Sequence, residues 1–264
     1  MAVDLFLPPS EGPVPVLVYC HGFKGFKQWG HVPHLHEYFA TGDYAMITFN
    51  HSHNGVLGDS DQFDALDLFS INTVSKELND LESLGKWIRE NGKSLGLDVE
   101  RVSWLGHSRG GANVILFANR CQDYVEKVIA WSPIPSYNWL FESFDPAIWK
   151  KNRTVYTTNA RTNQQMPLDY SLWENLKAHE DEFDVLEAAR SIGRPLLIVH
   201  GEADQAVPCA LSEPLYEACI HSIRMTVPNA DHTFGMKHPC EGIQDFTKEL
   251  WYALDNTLSF LEEI

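Results

Sequence analysis

The chain has 264 residues, of which 44% are hydrophobic and 21% charged, and its formal net charge is −16 at pH 7. This size and balance are typical of a globular protein that buries one large α/β core or two small ones. The negative charge would repel phosphate groups, so we expect neither a nucleic acid nor an anionic membrane surface as a partner.

The N-terminal residues and the cysteines indicate a reducing compartment. No basic stretch precedes an apolar one in MAVDLFLPPSEGPVPV, so the sequence predicts no signal peptide. No apolar run approaches the roughly 20 residues that a membrane-spanning helix needs. The 5 cysteines are odd in number and lack CxxC spacing, as expected of reduced thiols. We therefore expect a cytoplasmic protein.

Apolar runs and helical periodicities alternate along most of the chain. Val14–Cys20 is a continuous apolar run, typical of a strand buried on both faces. The later predicted elements are the helix His34–Ala40, the strand Tyr44–Phe49, the helix Thr73–Glu90, the strand Arg101–Leu105, the helix Gly110–Arg120, the strand Lys127–Trp131, the strand Pro195–His200, the helix Leu211–Cys219, the strand Ile223–Val227 and the helix Ile243–Leu261. This alternation predicts an α/β fold with a mainly parallel central sheet and helices on both faces.

One segment, residues 132–190, departs from the alternation. It is rich in aromatic residues, among them Trp139 and Trp173, and shows little clear strand pattern. So long an excursion between core strands predicts an inserted, partly helical cap over the carboxyl edge of the sheet. The expected division is a core of residues 1–131 and 191–264 and a cap of residues 132–190.

A candidate nucleophile lies between a predicted strand and a predicted helix. The stretch Gly106-His107-Ser108-Arg109-Gly110 fits G-x-S-x-G. In that context the serine occupies a strained turn, and the glycines prevent collisions between the strand and the helix. The turn directs the serine hydroxyl out at the top of the sheet, so we expect Ser108 to be the nucleophile. The alternative is an ordinary strand-to-helix turn, because five-residue matches also arise by chance.

A serine nucleophile needs a base to take its proton, and the base needs a partner that fixes its tautomer. Asp204 and His232 each lie in a loop after a predicted strand, where functional residues of parallel sheets collect. The order serine, acid, histidine is that of hydrolases with this motif. Glu202 is a weaker candidate for the acid. Asp231 is expected in a loop or capping role, because adjacent side chains rarely face one another.

These motifs together resemble a known superfamily. A strand followed by HGF, then GHSRGG, HGxxDxxVP and DHTF, resembles the α/β-hydrolases, specifically their dienelactone-hydrolase-like and cinnamoyl-esterase-like branch. The blocks HGFKGFK-WG, FN-SHNG and NARTxQ-MP resemble a group of uncharacterised bacterial hydrolases. The resemblance implies an α/β-hydrolase fold and a serine triad of Ser108, Asp204 and His232. The chain departs from the dienelactone hydrolases proper, which use a cysteine where this chain has Ser108.

The loop His21–Phe26 (HGFKGF) combines glycines with a lysine. It does not fit the phosphate-binding pattern G-x-x-x-x-G-K-[ST], and neither Lys24 nor Lys27 is followed by Ser or Thr. An oxyanion hole requires an N–H from the residue after the nucleophile and another from the loop after an early strand. We expect these to be the backbone N–H groups of Arg109 and Phe23. Lys24 and Lys27 are expected as solvated charges at the rim.

Several residues near the expected site are predicted to contact the substrate: His51, His53, His107, Trp139 and Trp173. For the tryptophans, the alternative is the apolar core of the cap itself. Arg161 is expected to pair with surface acids rather than with a substrate carboxylate. No metal or other cofactor is expected, since His36-Glu37 lacks the second histidine of H-E-x-x-H.

The residues therefore predict a metal-independent serine hydrolase that cleaves a small-molecule carboxylic ester through an acyl-enzyme intermediate. Thioester hydrolysis and the hydrolysis of small peptides or amides would use the same residues and remain alternatives. A catalytically silent ligand-binding member of the fold is a second hypothesis, against which the complete triad argues. The sequence does not indicate the oligomeric state.

Overall fold

The structure, a computed structural model, describes residues 1–58, 60–159 and 163–263. The strands in these ranges are β1 Val3–Phe6, β2 Val14–Cys20, β3 Ala45–Phe49, β4 Leu97–His107, β5 Val128–Trp131, β6 Thr154–Thr158, β7 Gln165–Asp169, β8 Leu196–Gly201 and β9 Ser222–Val227. The helices are α1 Leu35–Phe39, α2 Leu66–Ser70, α3 Val74–Asn91, α4 Arg109–Arg120, α5 Tyr137–Leu140, α6 Pro146–Asn152, α7 Ser171–Ala178, α8 Val185–Ser191, α9 Glu213–Ala218 and α10 Lys248–Glu262.

Seven strands form one central sheet in the order β1-β3-β2-β4-β5-β8-β9. Every pair in it is parallel except β1 with β3, which is antiparallel. Strands β6 and β7 form a separate antiparallel pair. The predicted mainly parallel sheet is confirmed, and the structure adds an antiparallel edge strand, β1, that the sequence analysis missed.

Helices cover both faces of the sheet, as two fully buried tryptophans demonstrate. Trp104 on β4 stands opposite Val128 on β5, and Trp131 lies three residues further along β5. Because side chains alternate along a strand, the two indoles point to opposite faces. Trp104 packs on Phe117 of α4 with 4.5 Å between ring centroids. On the other face, Trp131 Nε1 donates a hydrogen bond of 3.0 Å to Thr257 of α10.

The final helix is shorter than predicted. The sequence predicts a helix that begins at Ile243. Residues 243–245 instead form a 3-10 turn, and α10 begins only at Lys248. The Thr247 hydroxyl accepts a hydrogen bond from the N–H of Leu250, which caps the first turn at that point. No helix in the described ranges is both long enough and apolar enough to cross a bilayer.

Residues 132–190 contain α5 to α7, the pair β6–β7 and all of α8 except its last residue, apart from the three residues 160–162 that are not described. Trp149 is fully buried, and its Nε1 donates to the carbonyl oxygen of Leu168 at 2.9 Å, which links α6 to β7. Helix α8 packs on α4 and α9. Arg161, predicted to pair with surface acids, lies outside the described residues.

Candidate active site

Ser108 sits in the sharp turn between β4 and α4. Its backbone has φ 58° and ψ −118°, a conformation that non-glycine residues rarely adopt. A Cβ on Gly106 would lie 2.1 Å from the carbonyl oxygen of Gly110, and a Cβ on Gly110 would lie 2.3 Å from that of Cys20. The elbow therefore has room only for glycine at both positions, which is the steric reason for the G-x-S-x-G pattern.

Asp204 and His232 form a hydrogen-bonded pair across two neighbouring loops. His232 Nδ1 lies 2.7 Å from Asp204 Oδ2, and the other carboxylate oxygen accepts the N–H groups of Ala206 (2.9 Å) and Val207 (2.8 Å). Burial raises the pKa of Asp204, but hydrogen bonds from His200 and His232 outweigh it and hold that pKa below its usual range. An ionised Asp204 can only accept, so Nδ1 of His232 carries the proton and Nε2 is left as a base.

Two further histidines support this pair. His200 Nε2 lies 3.3 Å from Asp204 Oδ2 and 2.8 Å from the carbonyl oxygen of Val207. The ring of His107 lies against that of His232, with 4.7 Å between centroids. His107 Nε2 also donates to the carbonyl oxygen of His232 at 2.8 Å. Both rings thus contact the loops that contain Asp204 and His232.

The other two candidate acids, Asp231 and Glu202, form hydrogen bonds with groups other than His232. Asp231 Oδ1 accepts the N–H groups of Thr233 (3.0 Å) and Gly235 (2.7 Å), so it caps its own loop as the sequence analysis predicts. Glu202 accepts a hydrogen bond from the Thr226 hydroxyl at 2.9 Å. Asp204 is therefore the carboxylate that contacts His232.

Ser108 and His232 line one cleft with the glycine loop. The cleft has a volume of about 90 Å³, and its walls include Tyr19, Phe23, Trp29, His107, Ser108 and His232. Ser108 Oγ makes no hydrogen bond with any described residue, so the serine and histidine share the cleft without being bonded. In enzymes without a bound substrate, the hydrogen bonds used in catalysis are often long or poorly aligned.

The glycine loop runs directly against the elbow. A Cβ on Gly22 would lie 2.8 Å from the carbonyl oxygen of His107, so the two loops touch through their backbones. The N–H of Phe23 enters no backbone hydrogen bond within the described ranges. The N–H of Arg109 heads α4, where the first amides of a helix have no internal partner. Both predicted oxyanion donors are thus available beside Ser108.

Lys24 and Lys27 have different environments, although both are predicted to be solvated charges at the rim. Lys24 is indeed at the surface, and its Nζ donates to the carbonyl oxygen of Thr158 on β6 at 3.0 Å. For Lys27 the prediction is wrong, because this residue is 1% exposed and its Nζ lies 2.6 Å from Asp4 on β1. Lys27 fastens the glycine loop to the edge strand, which the sequence analysis had not identified.

A buried polar cluster lies beneath the elbow. The side chain of Arg109, 1% exposed, places its Nε 2.9 Å from Glu77 Oε2 on α3. Glu77 also accepts the side-chain amides of Asn72 (2.7 Å) and Asn113 (2.8 Å). The guanidinium lies over the rings of Phe23, Tyr137 and Phe141, at 5.6, 5.9 and 6.0 Å from their centroids. The residue after Ser108, Arg109, thus contacts α3 through its side chain.

His51 belongs to a second buried group next to this cluster. Its Nδ1 lies 3.3 Å from Asp80 Oδ2, and its Nε2 lies 3.5 Å from Cys20 Sγ. Burial lowers the pKa of His51, but the charge of Glu77 and the contacts with Cys20 and Asp80 raise it to about 10. His51 is therefore a buried cation that stabilises the loop after β3.

The structure brings together some of the predicted substrate contacts. His107 lines the cleft beside Ser108, whereas His51, His53, Trp139 and Trp173 are not among the residues that form its walls. His53 Nδ1 contacts the Ser52 hydroxyl at 2.8 Å. Trp173 packs on Trp149 with 6.2 Å between ring centroids. Tyr19, which does line the cleft, was missed because its apolar strand reads as core throughout.

No group of three or more His, Cys, Asp or Glu side chains in the described part of the chain is arranged to hold a metal ion.

Comparisons with known proteins identify the family. The BD-FAE family model matches residues 3–219. No curated protein matches the chain. Est1E from Butyrivibrio proteoclasticus, solved with ferulic acid bound, is 21% identical with a TM-score of 0.71, covering 98% of this chain and 93% of that one. A putative hydrolase from Agrobacterium vitis S4 is 14% identical with a TM-score of 0.74, covering 98% of this chain and 92% of its own.

A third solved structure belongs to the group that the sequence resembles. Dienelactone hydrolase from Anabaena variabilis is 14% identical with a TM-score of 0.60, covering 97% of this chain and 88% of its own. At identities this low, the TM-scores show a shared fold and no more. The predicted α/β-hydrolase fold is thereby confirmed.

Proposed function

Because the chain belongs to the BD-FAE family, we propose that it is a serine hydrolase that cleaves a carboxylic ester through an acyl-enzyme intermediate. Ser108 attacks the ester carbonyl while His232 takes its proton, and Asp204 holds the histidine ring in place. His232 then gives the proton to the leaving alcohol, and water releases the acyl group by the same route.

One observation carries the proposal. The contact of 2.7 Å between His232 Nδ1 and Asp204 Oδ2 leaves Nε2 as the nitrogen that can act as a base, and His232 and Ser108 line the same cleft. A neutral imidazole held in this tautomer is the base that a serine hydroxyl requires. The strained backbone of Ser108 supports the same role, because such strain collects at functional sites.

The oxyanion hole in this proposal consists of the backbone N–H groups of Phe23 and Arg109. Neither amide has a backbone partner among the described residues, and the walls of the cleft include Phe23 and Ser108. In enzymes of this kind, the loss of one such donor raises the barrier by about 3–4 kcal/mol. The network of Glu77 beneath Arg109 would keep its amide fixed during the reaction.

The proposed substrate is a small-molecule ester. The name of Est1E and the ferulic acid in its structure favour ester hydrolysis over thioester, peptide or amide hydrolysis. Residues 132–190 would form the cap, since Phe141 packs on Phe23 with 5.7 Å between ring centroids. Free cysteines at five positions suit a cytoplasmic location, which we include in the proposal. Contacts of His51, His53, Trp139 and Trp173 with substrate stay predictions.

Labelling and turnover test the proposal together. A fluorophosphonate probe should form an adduct at Ser108 in the folded protein, and Ser108→Ala should abolish both the adduct and p-nitrophenyl acetate hydrolysis. Ser103→Ala is the matched control, because Ser103 is a buried serine on β4, the strand that leads to the turn of Ser108, and its hydroxyl donates to Glu126 at 3.5 Å. Turnover retained in Ser108→Ala would move the nucleophile elsewhere. No adduct in the folded wild type would refute the enzymatic assignment.

A further inference from the structure

Tyr19 brings a polar group into the cleft without a partner. It lies on β2, it is 3% exposed, and it is among the residues that form the walls of the cleft with Ser108. Its hydroxyl makes no hydrogen bond with any described residue. A hydroxyl that lines a cleft without a protein partner is free to bind, so this group is suited to bind a polar group of a ligand.

His107 brings a second polar group whose direction can be deduced. A carbonyl oxygen can only accept, so the Nε2 that contacts the carbonyl of His232 at 2.8 Å must carry the proton. Burial and the neighbouring His232 lower the pKa of His107 to about 3, so the ring is neutral. Its Nδ1 is therefore a lone-pair acceptor, and it has no hydrogen bond within the described ranges.

The cleft is small. Its volume is about 90 Å³, whereas a cavity of about 150 Å³ is known to accommodate a benzene ring. A group held wholly within this cleft therefore consists of a few non-hydrogen atoms, because an aromatic ring would extend beyond it. The surrounding walls are largely apolar, with Phe26, Trp29 and Val32 all buried.

We propose that the cleft binds a short acyl group that carries a hydroxyl, so that the preferred substrates are esters of small hydroxy acids. The inference rests on the function proposed above. A hydroxyl both donates and accepts, so it can donate to Nδ1 of His107 or accept from the Tyr19 hydroxyl. A purely apolar acyl group of the same size would leave both protein groups unpaired, which a polar site strongly disfavours.

The reaction balances as a simple hydrolysis. Ser108 Oγ forms a bond to the acyl carbon, the bond between that carbon and the alcohol oxygen breaks, and the alcohol leaves with the serine proton by way of His232. Water then replaces Ser108, so the products are one hydroxy acid and one alcohol. The substrate hydroxyl is not consumed and serves only in binding.

Isosteric esters test the proposal. Ethyl lactate is compared with ethyl isobutyrate, and ethyl 3-hydroxybutyrate with ethyl isovalerate, so that each pair exchanges a hydroxyl for a methyl group. After division by the alkaline hydrolysis rate of each ester, kcat/KM of the wild type should favour the hydroxy ester at least about ten-fold in one pair. Tyr19→Phe should reduce that preference by about ten-fold.

Tyr44→Phe is the control, since Tyr44 is also buried but its hydroxyl donates to the carbonyl of Leu261, away from the cleft. It should leave the preference unchanged. A wild-type ratio near one in both pairs would overturn the inference, whether or not Tyr19→Phe folds. Faster hydrolysis of alanine ethyl ester than of ethyl lactate would also overturn it, in favour of an ammonium group. Absent p-nitrophenyl acetate turnover and probe labelling would instead indicate that the proposed function itself fails.

Discussion

Glu77→Gln tests whether the buried ion pair stabilises the elbow. Glutamine has the shape of glutamate, and its carbonyl oxygen can accept the hydrogen bond from Asn113 that Glu77 Oε2 now accepts and can lie, like that oxygen, 2.9 Å from Arg109 Nε. Its amide group would then face Asn72, whose Oδ1 has no hydrogen-bond partner in the described part of the chain. Rotation of the Asn72 amide restores that hydrogen bond, so the variant removes the charge and little else.

The expected loss of folding stability in Glu77→Gln follows from the burial of Arg109. Its guanidinium is 1% exposed and cannot give up its proton, so the substitution leaves an uncompensated buried cation. Removing one partner of a buried pair costs about 3–5 kcal/mol, and the retained hydrogen bonds place this case near the lower end. For a chain of this size, we expect Tm to fall by roughly 6–12 °C.

Urea unfolding followed by circular dichroism measures the change. The matched control is Glu90→Gln on the same helix, where the side chain is exposed and its contact with Lys86 is 3.8 Å, so stability should change by less than about 0.5 kcal/mol. Arg109→Met combined with Glu77→Gln should recover much of the loss, because neither charge is then unpaired. A loss below about 1 kcal/mol in the single variant, or simple additivity in the double variant, would refute the reasoning.

The same variant has a predictable pH dependence. Burial raises the pKa of Glu77, but the charges of Arg109 and His51 and the hydrogen bonds from Asn113 and Asn72 outweigh it, so the pKa is lowered. A carboxylate with a lowered pKa in the folded state stabilises above its unfolded value, and that stability is lost as the pH falls through the folded value. The difference in stability between the wild type and Glu77→Gln should therefore shrink below about pH 4.5.

Two further substitutions test the loops around the cleft. Gly22→Ala places a Cβ 2.8 Å from the His107 carbonyl oxygen, so the glycine loop must move, and p-nitrophenyl acetate turnover should fall at least about 100-fold. Gly12→Ala is the control, because its Cβ would have nothing within 4 Å. Equal turnover in both variants would contradict the expected effect of moving the glycine loop. Burial lowers the pKa of His31 to about 3, and neither ring nitrogen has a hydrogen bond in the described ranges. This residue should contribute a fall in wild-type stability of about 1.4 kcal/mol per pH unit below about pH 6.5. In urea unfolding at pH 7.5 and 5.0, His31→Leu should lose less stability than the wild type by that contribution, since His107 adds its own fall to both proteins.

The central strands and their loops were predictable because their signals are local. Val14–Cys20 was predicted with the bounds that β2 has, since a strand buried on both faces is apolar throughout. Strand β4 begins earlier than the predicted Arg101, because the residues before it include the charged Asp98, which is half-buried, and Glu100, which is exposed. A strand buried on both faces can thus be recognised from its apolar sequence, whereas a partly solvated extension of a strand cannot.

The residues that hold the loops were not predictable, because their partners are far away in the sequence. Lys127 illustrates this, as its buried Nζ donates to the carbonyl oxygens of Phe260 (3.0 Å) and Leu261 (2.8 Å) at the end of α10. Lys27 and Asp4 are another such pair. A lysine or an acid in a sequence is most often solvated, and only the folded chain reveals which ones are buried and paired.

Helix α3 connects the two loops that contain the proposed oxyanion donors. Glu77 and Asp80 are three residues apart and therefore lie on the same face of the helix. Glu77 contacts Arg109 in the elbow. Asp80 accepts the N–H of Ser52 at 2.7 Å, and the N–H of the preceding residue, His51, contacts Nε2 of His21 at 3.3 Å, at the start of the glycine loop.

In the sequence, these two acids look like part of an ordinary solvated helix face. In the fold, both carboxylates are buried, Glu77 lies 2.9 Å from Arg109 at the elbow, and Asp80 accepts the N–H of Ser52 in the loop after β3. A displacement of α3 would therefore act on the elbow and, through His51 and His21, on the start of the glycine loop. The two loops with the proposed oxyanion donors are thus tied to one helix, although α3 is not among the elements that line the cleft.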